Sequence, residues 1–274
     1  MNPLQFNTKT TLFGVIGDPV SHSMSPIMHN RAFAETGFNG AYLAFQVTDV
    51  AAAIAGMRSL GIGGFSVTIP HKINVMKYID RIDDMAAKIG AVNTVVNRNG
   101  ILCGYNTDCL GAIHALREKT AIDGKKVLLL GAGGAARAIG YGIQSQGGLL
   151  RIVNILEDEG RNLAGELGVA YHHLSEFHGL DYDILINSTP VGMSPDVADM
   201  PVRAEDLRPE KVVMDIIYNP LNTRLLMEAQ KKGCLVVDGA NMFVYQGAAQ
   251  FEMWTGRTAP VSLMRETVLE ALGR

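Results

Sequence analysis

Three stretches of the 274-residue chain carry residue types that do chemistry. The first is Gly131-Ala132-Gly133-Gly134-Ala135-Ala136, a G-x-G-x-x-G/A pattern behind the apolar run Val127 to Leu130. Gly131 permits a tight turn, Gly133 lets a pyrophosphate approach the backbone, and Ala136 lets helix and strand pack closely. The helix that opens at Arg137-Ala138-Ile139 offers free N–H groups and a positive dipole end to the phosphates. A second strand, Leu149 to Asn154, ends about twenty residues on, as a dinucleotide fingerprint requires. The second stretch is Ser21-His22-Ser23-Met24-Ser25-Pro26. Ser25 before Pro26 reads as an N-cap and a first helical position. The other serines and His22 are hydroxyl and imidazole groups for a polar ligand, or simply a serine-rich turn. The third is Phe65-Ser66-Val67-Thr68-Ile69-Pro70-His71-Lys72. At the strand period of two, Ser66 and Thr68 share one face. Lys72 follows just past the Pro70 stop. In a site it serves as a general acid, because burial and nearby cations lower a lysine pKa; elsewhere it is solvated surface. Asp108, after Asn106-Thr107, is either a helix cap or, within hydrogen-bond reach of Lys72, a partner in acid–base work.

The elements that must position these groups are legible in order. Leu12 to Ile16 is a strand closed by Gly17-Asp18-Pro19, and the helix after Pro26 runs to about Glu35 with Gly37 as its stop. Tyr42 to Val47 is a strand; Asp49 caps a helix with Val50, Ile54 and Met57 on one face. Strand, helix, strand is a βαβ unit. Gly90-Ala91-Val92-Asn93-Thr94-Val95 starts another strand, Asn97-Arg98-Asn99-Gly100 is a hairpin turn, and Ile101 to Tyr105 returns. Past a connecting helix, Gly111 to about Glu118, come buried strands at Val127–Leu130, Leu149–Asn154, Asp183–Asn187, Val212–Ile216 and Leu235–Val237. Helices at about Asp158–Leu167 and Thr223–Lys232 fall between them. Parallel strands alternating with helices predict a doubly wound sheet with ligands at the carboxyl ends, where Thr189, Gly192, Tyr218 and Asp238 lie. Two terminal helices, Asn241–Glu252 and Val261–Leu272, are expected to pack back on the first domain and bring Gln246 to its cleft. The fold class is α/β in two domains: a substrate domain, 1–109 completed by 240–274, and a Rossmann-like domain, 110–239.

Bulk composition narrows the function classes. Hydrophobic residues make up 47% and charged residues 19%, with net charge −3 and pI near 6.2. Nothing there favours nucleic acid or an anionic membrane as partner. No apolar run approaches the roughly 20 residues of a membrane span. The N-terminus lacks the basic-then-apolar build of a signal peptide. A cytoplasmic location is expected. Cys103, Cys109 and Cys234 have no metal or C-x-x-C spacing and read as small buried hydrophobes in a reducing compartment. His172, His173 and His178 sit in a polar connection without carboxylates at ligand spacing, so no metal site is assigned.

Taken together, the motifs resemble the shikimate dehydrogenase family over nearly the whole length. Ser21–Pro26, Ser66–Lys72, Gly90–Thr94, Asn106–Asp108 and the glycine loop match in order. So do Asn187-Ser188-Thr189-Pro190-Val191-Gly192-Met193, Asp215–Pro220 with Thr223, Asp238-Gly239 and Gln246-Gly247. The resemblance implies reduction of 3-dehydroshikimate to shikimate with NADP or NAD, in the route to aromatic amino acids. It implies Lys72 and Asp108 as the catalytic pair. Ser23, Ser25, Ser66, Thr68, Asn93, Thr107, Tyr218 and Gln246 would hold the substrate. Gly131, Ala132, Gly133, Gly134, Ala135, Asn154, Ile155, Thr189, Gly192, Met193, Ile216 and Gly239 would hold the cofactor. Two positions depart from the family pattern. Ser66 stands where Asn is usual, and Asn154-Ile155-Leu156 replaces Asn-Arg-Thr, which predicts a weakened preference for NADP with NAD usable. The competing readings are a quinate or mixed quinate/shikimate dehydrogenase, for which Ser66 would give room, and a non-catalytic nucleotide-sensing regulator. The expected assembly is a monomer or homodimer.

Overall fold

The computed structural model describes residues 6–273. Its contacts divide the chain into two compact units: one ends at Thr107 and resumes at Gln246, and the other is Asp108–Tyr245.

The first unit contains β1 (Thr11–Gly17), α1 (Ser25–Thr36), β2 (Gly40–Gln46), α2 (Val50–Ser59), β3 (Gly64–Val67), β4 (Arg81–Ile82), α3 (Asp84–Ile89), β5 (Thr94–Arg98) and β6 (Ile101–Tyr105). The strands form one six-stranded sheet in the order β2-β1-β3-β5-β6-β4. It is mixed: β1 runs parallel to β2 and β3, while β5 runs antiparallel to both β3 and β6. The antiparallel return is the Asn99-Gly100 hairpin, with φ of 55° and 89°, the left-handed conformation such turns demand. Asp49 caps α2 by accepting from Ala52 N at 3.0 Å, and Val50, Ile54 and Met57 are its buried stripe.

Two expectations fail locally. Ser25 is not the cap of α1: it is the first helical residue, Met24 holds the cap position, and no side chain makes a capping bond there. Ser23 instead turns its hydroxyl back to accept from Ser25 N at 3.3 Å. The strand through Ser66 ends at Val67, three residues before Pro70, so Thr68 lies past its end rather than on its face, and Ile69 is exposed. The restriction that a proline places on its predecessor extends the backbone without requiring a ladder.

The second unit contains α4 (Asp108–Arg117), β7 (Lys126–Leu130), α5 (Gly134–Ser145), β8 (Leu149–Asn154), α6 (Glu157–Leu167), β9 (Ala170–His173), β10 (Ile184–Asn187), β11 (Val212–Asp215), α7 (Arg224–Lys231) and β12 (Leu235–Val237). α8 (Gly239–Thr255) begins in this unit and ends in the first, where α9 (Val261–Ala271) follows. The six strands are all parallel, in the order β12-β11-β10-β7-β8-β9. The apolar runs of β7, β10 and β11 reflect burial on both faces. Val127 and Leu129 join Ile184, Ile186 and the helices α4, α5 and α6 on one side; Leu128 and Leu130 join Leu185, Phe177 and Leu225 on the other. Each such aliphatic side chain contributes roughly 1.5–3 kcal/mol on burial, which is what fixes the strand ends that carry the loops. His172 and His173 belong to the edge strand β9, not to a connection. A half-buried edge strand of polar residues carries no period-two signal to betray it.

Candidate active site

In the first unit, three chain segments are laced into one surface. Val67 N donates to Asn93 O at 2.7 Å, Val92 N to Lys72 O at 2.8 Å, and Asn93 N to Tyr105 O at 3.1 Å. Lys72 sits in the turn ahead of a short 3-10 helix, Asn74–Lys77. His71 holds that turn from both sides: its amide donates to Thr68 O at 2.9 Å, and its Nε2 lies 2.6 Å from Val47 O. Gly17 admits Thr68, since a Cβ there would lie 2.3 Å from the threonine methyl.

At the centre are buried neutral polar groups. Asn93 Oδ1 accepts from Thr107 N at 2.8 Å and from Thr94 Oγ1 at 2.7 Å; Asn93 Nδ2 donates to Thr107 Oγ1 at 3.0 Å. Asn106 donates to Ala91 O at 2.9 Å. Buried amides and hydroxyls cost free energy unless hydrogen-bonded, so this cluster has one orientation for each group. Ser66, opposite Thr94 in the ladder, faces Tyr42 and Gln250. Gln246 lies four residues before Gln250 on α8 and is buried like it. The structure thus brings Asn93 and Thr107 into direct contact and carries Ser23, Ser25, Ser66, Thr68, Lys72 and Gln246 on the same unit. Asp108 and Tyr218 belong to the second unit: Asp108 is buried at the start of α4, and the Tyr218 ring lies 4.6 Å from that of Phe243.

In the second unit, the glycine loop leaves β7 as the motif requires. Gly131 has φ of +104°, and a Cβ on it would lie 2.9 Å from Ser188 Oγ. Gly133 is the N-cap of α5, is exposed, and meets nothing within 4 Å of an added Cβ. The open side of that loop, together with the first N–H groups of α5, fits a dinucleotide pyrophosphate. Ala132, Gly134 and Ala135 complete the turn into the helix. The following loops sit along the same carboxyl edge. Gly131 N donates to Val153 O at 2.9 Å, and Ser188 N to Leu130 O at 3.0 Å. Gly239 backs onto the Ile216 carbonyl, 2.4 Å from where its Cβ would be. Gly192, with φ of +94°, and Met193 close the turn after β10.

A second buried cluster supports this edge. Asn187 Oδ1 accepts from Thr189 N at 3.1 Å and Thr189 Oγ1 at 2.7 Å, and Asn187 Nδ2 donates to Asp215 Oδ1 at 3.1 Å. Asp215 also accepts from Thr223 Oγ1 at 2.7 Å and Ile217 N at 3.1 Å. Burial pushes its carboxyl up to about 6 against the pull of those bonds. The motif carried Asn187, Asp215 and Thr223 without a role for them. Tyr42 and Gln250 were missed, although Gln250 lies one helical turn from Gln246, a spacing that puts both on one face.

At the end of β8, Asn154 Nδ2 donates to Leu156 O at 3.0 Å, and Ile155 is 64% exposed. The nearby cations are engaged elsewhere. Arg137 pairs with Glu166, and Arg161 with Glu157 at 2.7 Å while lying over the Tyr171 ring. His172 faces Glu176, and His178 faces Asp206. No group of three metal-ligating side chains is found among the described residues, and none of their helices is long and apolar enough to cross a membrane.

Comparison with known proteins decides the family. Residues 15–95 match the model of the shikimate dehydrogenase substrate binding domain, and residues 239–269 that of the shikimate 5'-dehydrogenase C-terminal domain. A shikimate dehydrogenase (NADP(+)) of Geobacillus kaustophilus is 47% identical over 273 residues, covering 96% of this chain and 99% of that one. The chain belongs to the shikimate dehydrogenase family. A crystal structure of a family member in complex with NADP+ superposes with a TM-score of 0.95 at 42% identity, covering 98% of both chains. The Listeria monocytogenes shikimate 5-dehydrogenase, solved in complex with shikimate and NAD, has a TM-score of 0.87 at 36% identity, over 96% of this chain and 97% of that one.

Proposed function

We propose that this protein is a shikimate dehydrogenase, reducing 3-dehydroshikimate to shikimate reversibly with a nicotinamide dinucleotide. The observation that carries the reading is the buried, fully oriented Asn93–Thr107 pair, tied through the Val92–Lys72 backbone bond to the one lysine of the motif. Asn93, Thr107, Ser23, Ser25, Thr68, Gln246 and Tyr218 hold the substrate carboxylate and hydroxyls. The loop Gly131–Ala135, with Asn154, Ile155, Thr189, Gly192, Met193, Ile216 and Gly239, holds the dinucleotide. When bound, that cofactor supplies the hydride, and the protein supplies orientation and a proton. Lys72 and Asp108 act as the acid–base pair: one proton reaches the substrate oxygen as its alkoxide forms, and returns in the oxidation. A regulator without catalysis has no use for that pair.

Steady-state turnover tests the reading. Shikimate is expected to be oxidised with NADP or NAD, with kcat/KM more than tenfold above that for quinate, because buried donors left unpaired penalise the wrong polyol. Equal values for the two acids would make the enzyme a mixed shikimate/quinate dehydrogenase. No turnover of either would remove the assignment.

A further inference from the structure

Behind Asn93 runs a chain of hydrogen bonds that reaches across the first unit. Tyr42 OH donates to Ser66 Oγ at 2.6 Å, and Ser66 Oγ donates to Gln250 Oε1 at 2.7 Å. Gln250 Nε2 donates to Thr94 Oγ1 at 2.9 Å and to Asn93 O at 3.3 Å. Thr94 Oγ1 then donates to Asn93 Oδ1. Gln250 is 1% exposed and Thr94 fully buried, so water does not substitute along this path.

The direction of each bond follows from donor and acceptor types. An amide has a donating end and an accepting end. Ser66 occupies the accepting end of Gln250, which leaves its donating end toward Thr94. A hydroxyl has one proton; Thr94, accepting from Gln250, gives it to Asn93 Oδ1 at 2.7 Å, nearer than the alternative acceptor Thr107 Oγ1 at 3.3 Å. That bond, together with the one from Thr107 N at 2.8 Å, holds the Asn93 amide with its oxygen toward Thr94 and Thr107 N and its nitrogen toward Thr107 Oγ1. Turning the Asn93 amide over would set two donors against Thr107 N and leave its bonds unmade.

We propose that Gln250, backed by Ser66 and Tyr42, is a positioning residue that, through Thr94 and together with Thr107 N, holds the orientation of the Asn93 amide and so fixes which polar group Asn93 and Thr107 offer to the substrate. Ser66 acts from behind the site, as the link between Tyr42 and Gln250, and not as a substrate ligand. The inference rests on the substrate reading of Asn93 and Thr107. Part of the specificity of this chain therefore lies in a helix residue 184 positions away from Ser66. Gln250 and Ser66 form one device: a serine is short enough to leave room for the glutamine and has the single proton the relay needs.

The test is a set of kinetic cycles on the intact enzyme with shikimate. Gln250→Leu is expected to raise the KM for shikimate roughly tenfold, the loss of one oriented hydrogen bond, while kcat stays within about threefold and the dinucleotide KM is unchanged. Asn93→Ala should raise KM at least as much. Adding Gln250→Leu to Asn93→Ala should then cost less than about twofold more, because the first acts only through the second. Ser66→Ala and Tyr42→Phe run the same cycle with one hydroxyl removed and keep the test available if the leucine variant does not fold. An unchanged shikimate KM in Gln250→Leu or Ser66→Ala, or costs that multiply in the cycle, would overturn the proposal. A parent enzyme inert toward shikimate would overturn the substrate reading instead.

Discussion

The buried polar cluster around Asn93 is made of amides and hydroxyls; the one around Asn187 is built on a carboxylate, Asp215. Both use an asparagine as a two-ended connector, and both tie loops at strand ends. They differ in charge. Neutral donors and acceptors orient one another without drawing in a counter-ion, which suits a surface that must present fixed polarity to an uncharged hydroxyl. Asp215 gathers three donors from Asn187, Thr223 and Ile217 and so locks two loops at once, at the cost of desolvating an ion. On the proposed roles the contrast divides labour: the neutral cluster would position a substrate, while the Asp215 carboxylate ties loops.

The largest effects should come from the charges assigned to chemistry. Lys72→Ala and Asp108→Asn are expected to lower kcat by roughly 10² to 10⁴, with KM changing far less. Asn93→Ala should show the reverse split. If Asn93→Ala lowered kcat as much as Lys72→Ala, the division between positioning and chemistry would break.

A smaller effect is expected at the rim of the second unit. An acidic residue after the second strand favours NAD, and an arginine the 2′-phosphate of NADP. Here Ile155 stands exposed, Glu157, Asp158 and Glu159 open α6, and Arg137 and Arg161 are paired with Glu166 and Glu157. A charged hydrogen bond contributes roughly 1.5–3 kcal/mol, about ten- to a hundredfold in affinity. Ile155→Arg should therefore raise kcat/KM for NADP by that factor and leave the value for NAD nearly unchanged, with the parent using NAD readily. A parent that prefers NADP a thousandfold would show that Arg137 or Arg161 leaves its carboxylate for the phosphate.

How much was legible varied with what constrains a residue locally. The glycine loop was readable because Gly131 needs a positive φ and Gly133 open space, both properties of the residue itself. The central strands of the second unit, β7, β10 and β11, were readable because burial on two faces leaves an apolar run; the polar edge strand β9 was not. Ser66 was readable as a strand hydroxyl, but its partner was not. Nothing in the local pattern links it to Gln250, and only the return of α8 to the first unit makes that pair. The cap of α1 differs for a related reason: Ser25-Pro26 is a cap-then-proline pattern locally, yet the backbone puts Met24 at the cap position and Ser25 inside the helix.

The smallest effect tests the charge contrast through stability. Each unit buries a group whose pKa burial moves across the range between about pH 3 and pH 7. In the first, His29 is fully buried, stacked 4.5 Å from the Tyr42 ring, and neither ring nitrogen has a hydrogen-bond partner. Burial lowers it to about 3, against an opposing pull from the Gln250 side chain. In the second, burial raises Asp215 to about 6. The signs oppose. The unfolded chain protonates His29 near 6.5 while the folded chain resists to about 3, so its stabilisation is complete above 6.5 and is lost as pH falls. The folded chain protonates Asp215 more readily than the unfolded one, so its contribution is complete below 3.8 and is lost as pH rises through about 6. Taking the pH from 7 to 5 should cost about 2 kcal/mol at His29 and return about 1 kcal/mol at Asp215. Denaturant unfolding of the parent, His29→Leu and Asp215→Asn at both pH values separates the two. Relative to the parent, the histidine variant should gain on acidification and the aspartate variant should lose. If both variants moved in the same direction, one of the two groups would not titrate as its burial demands.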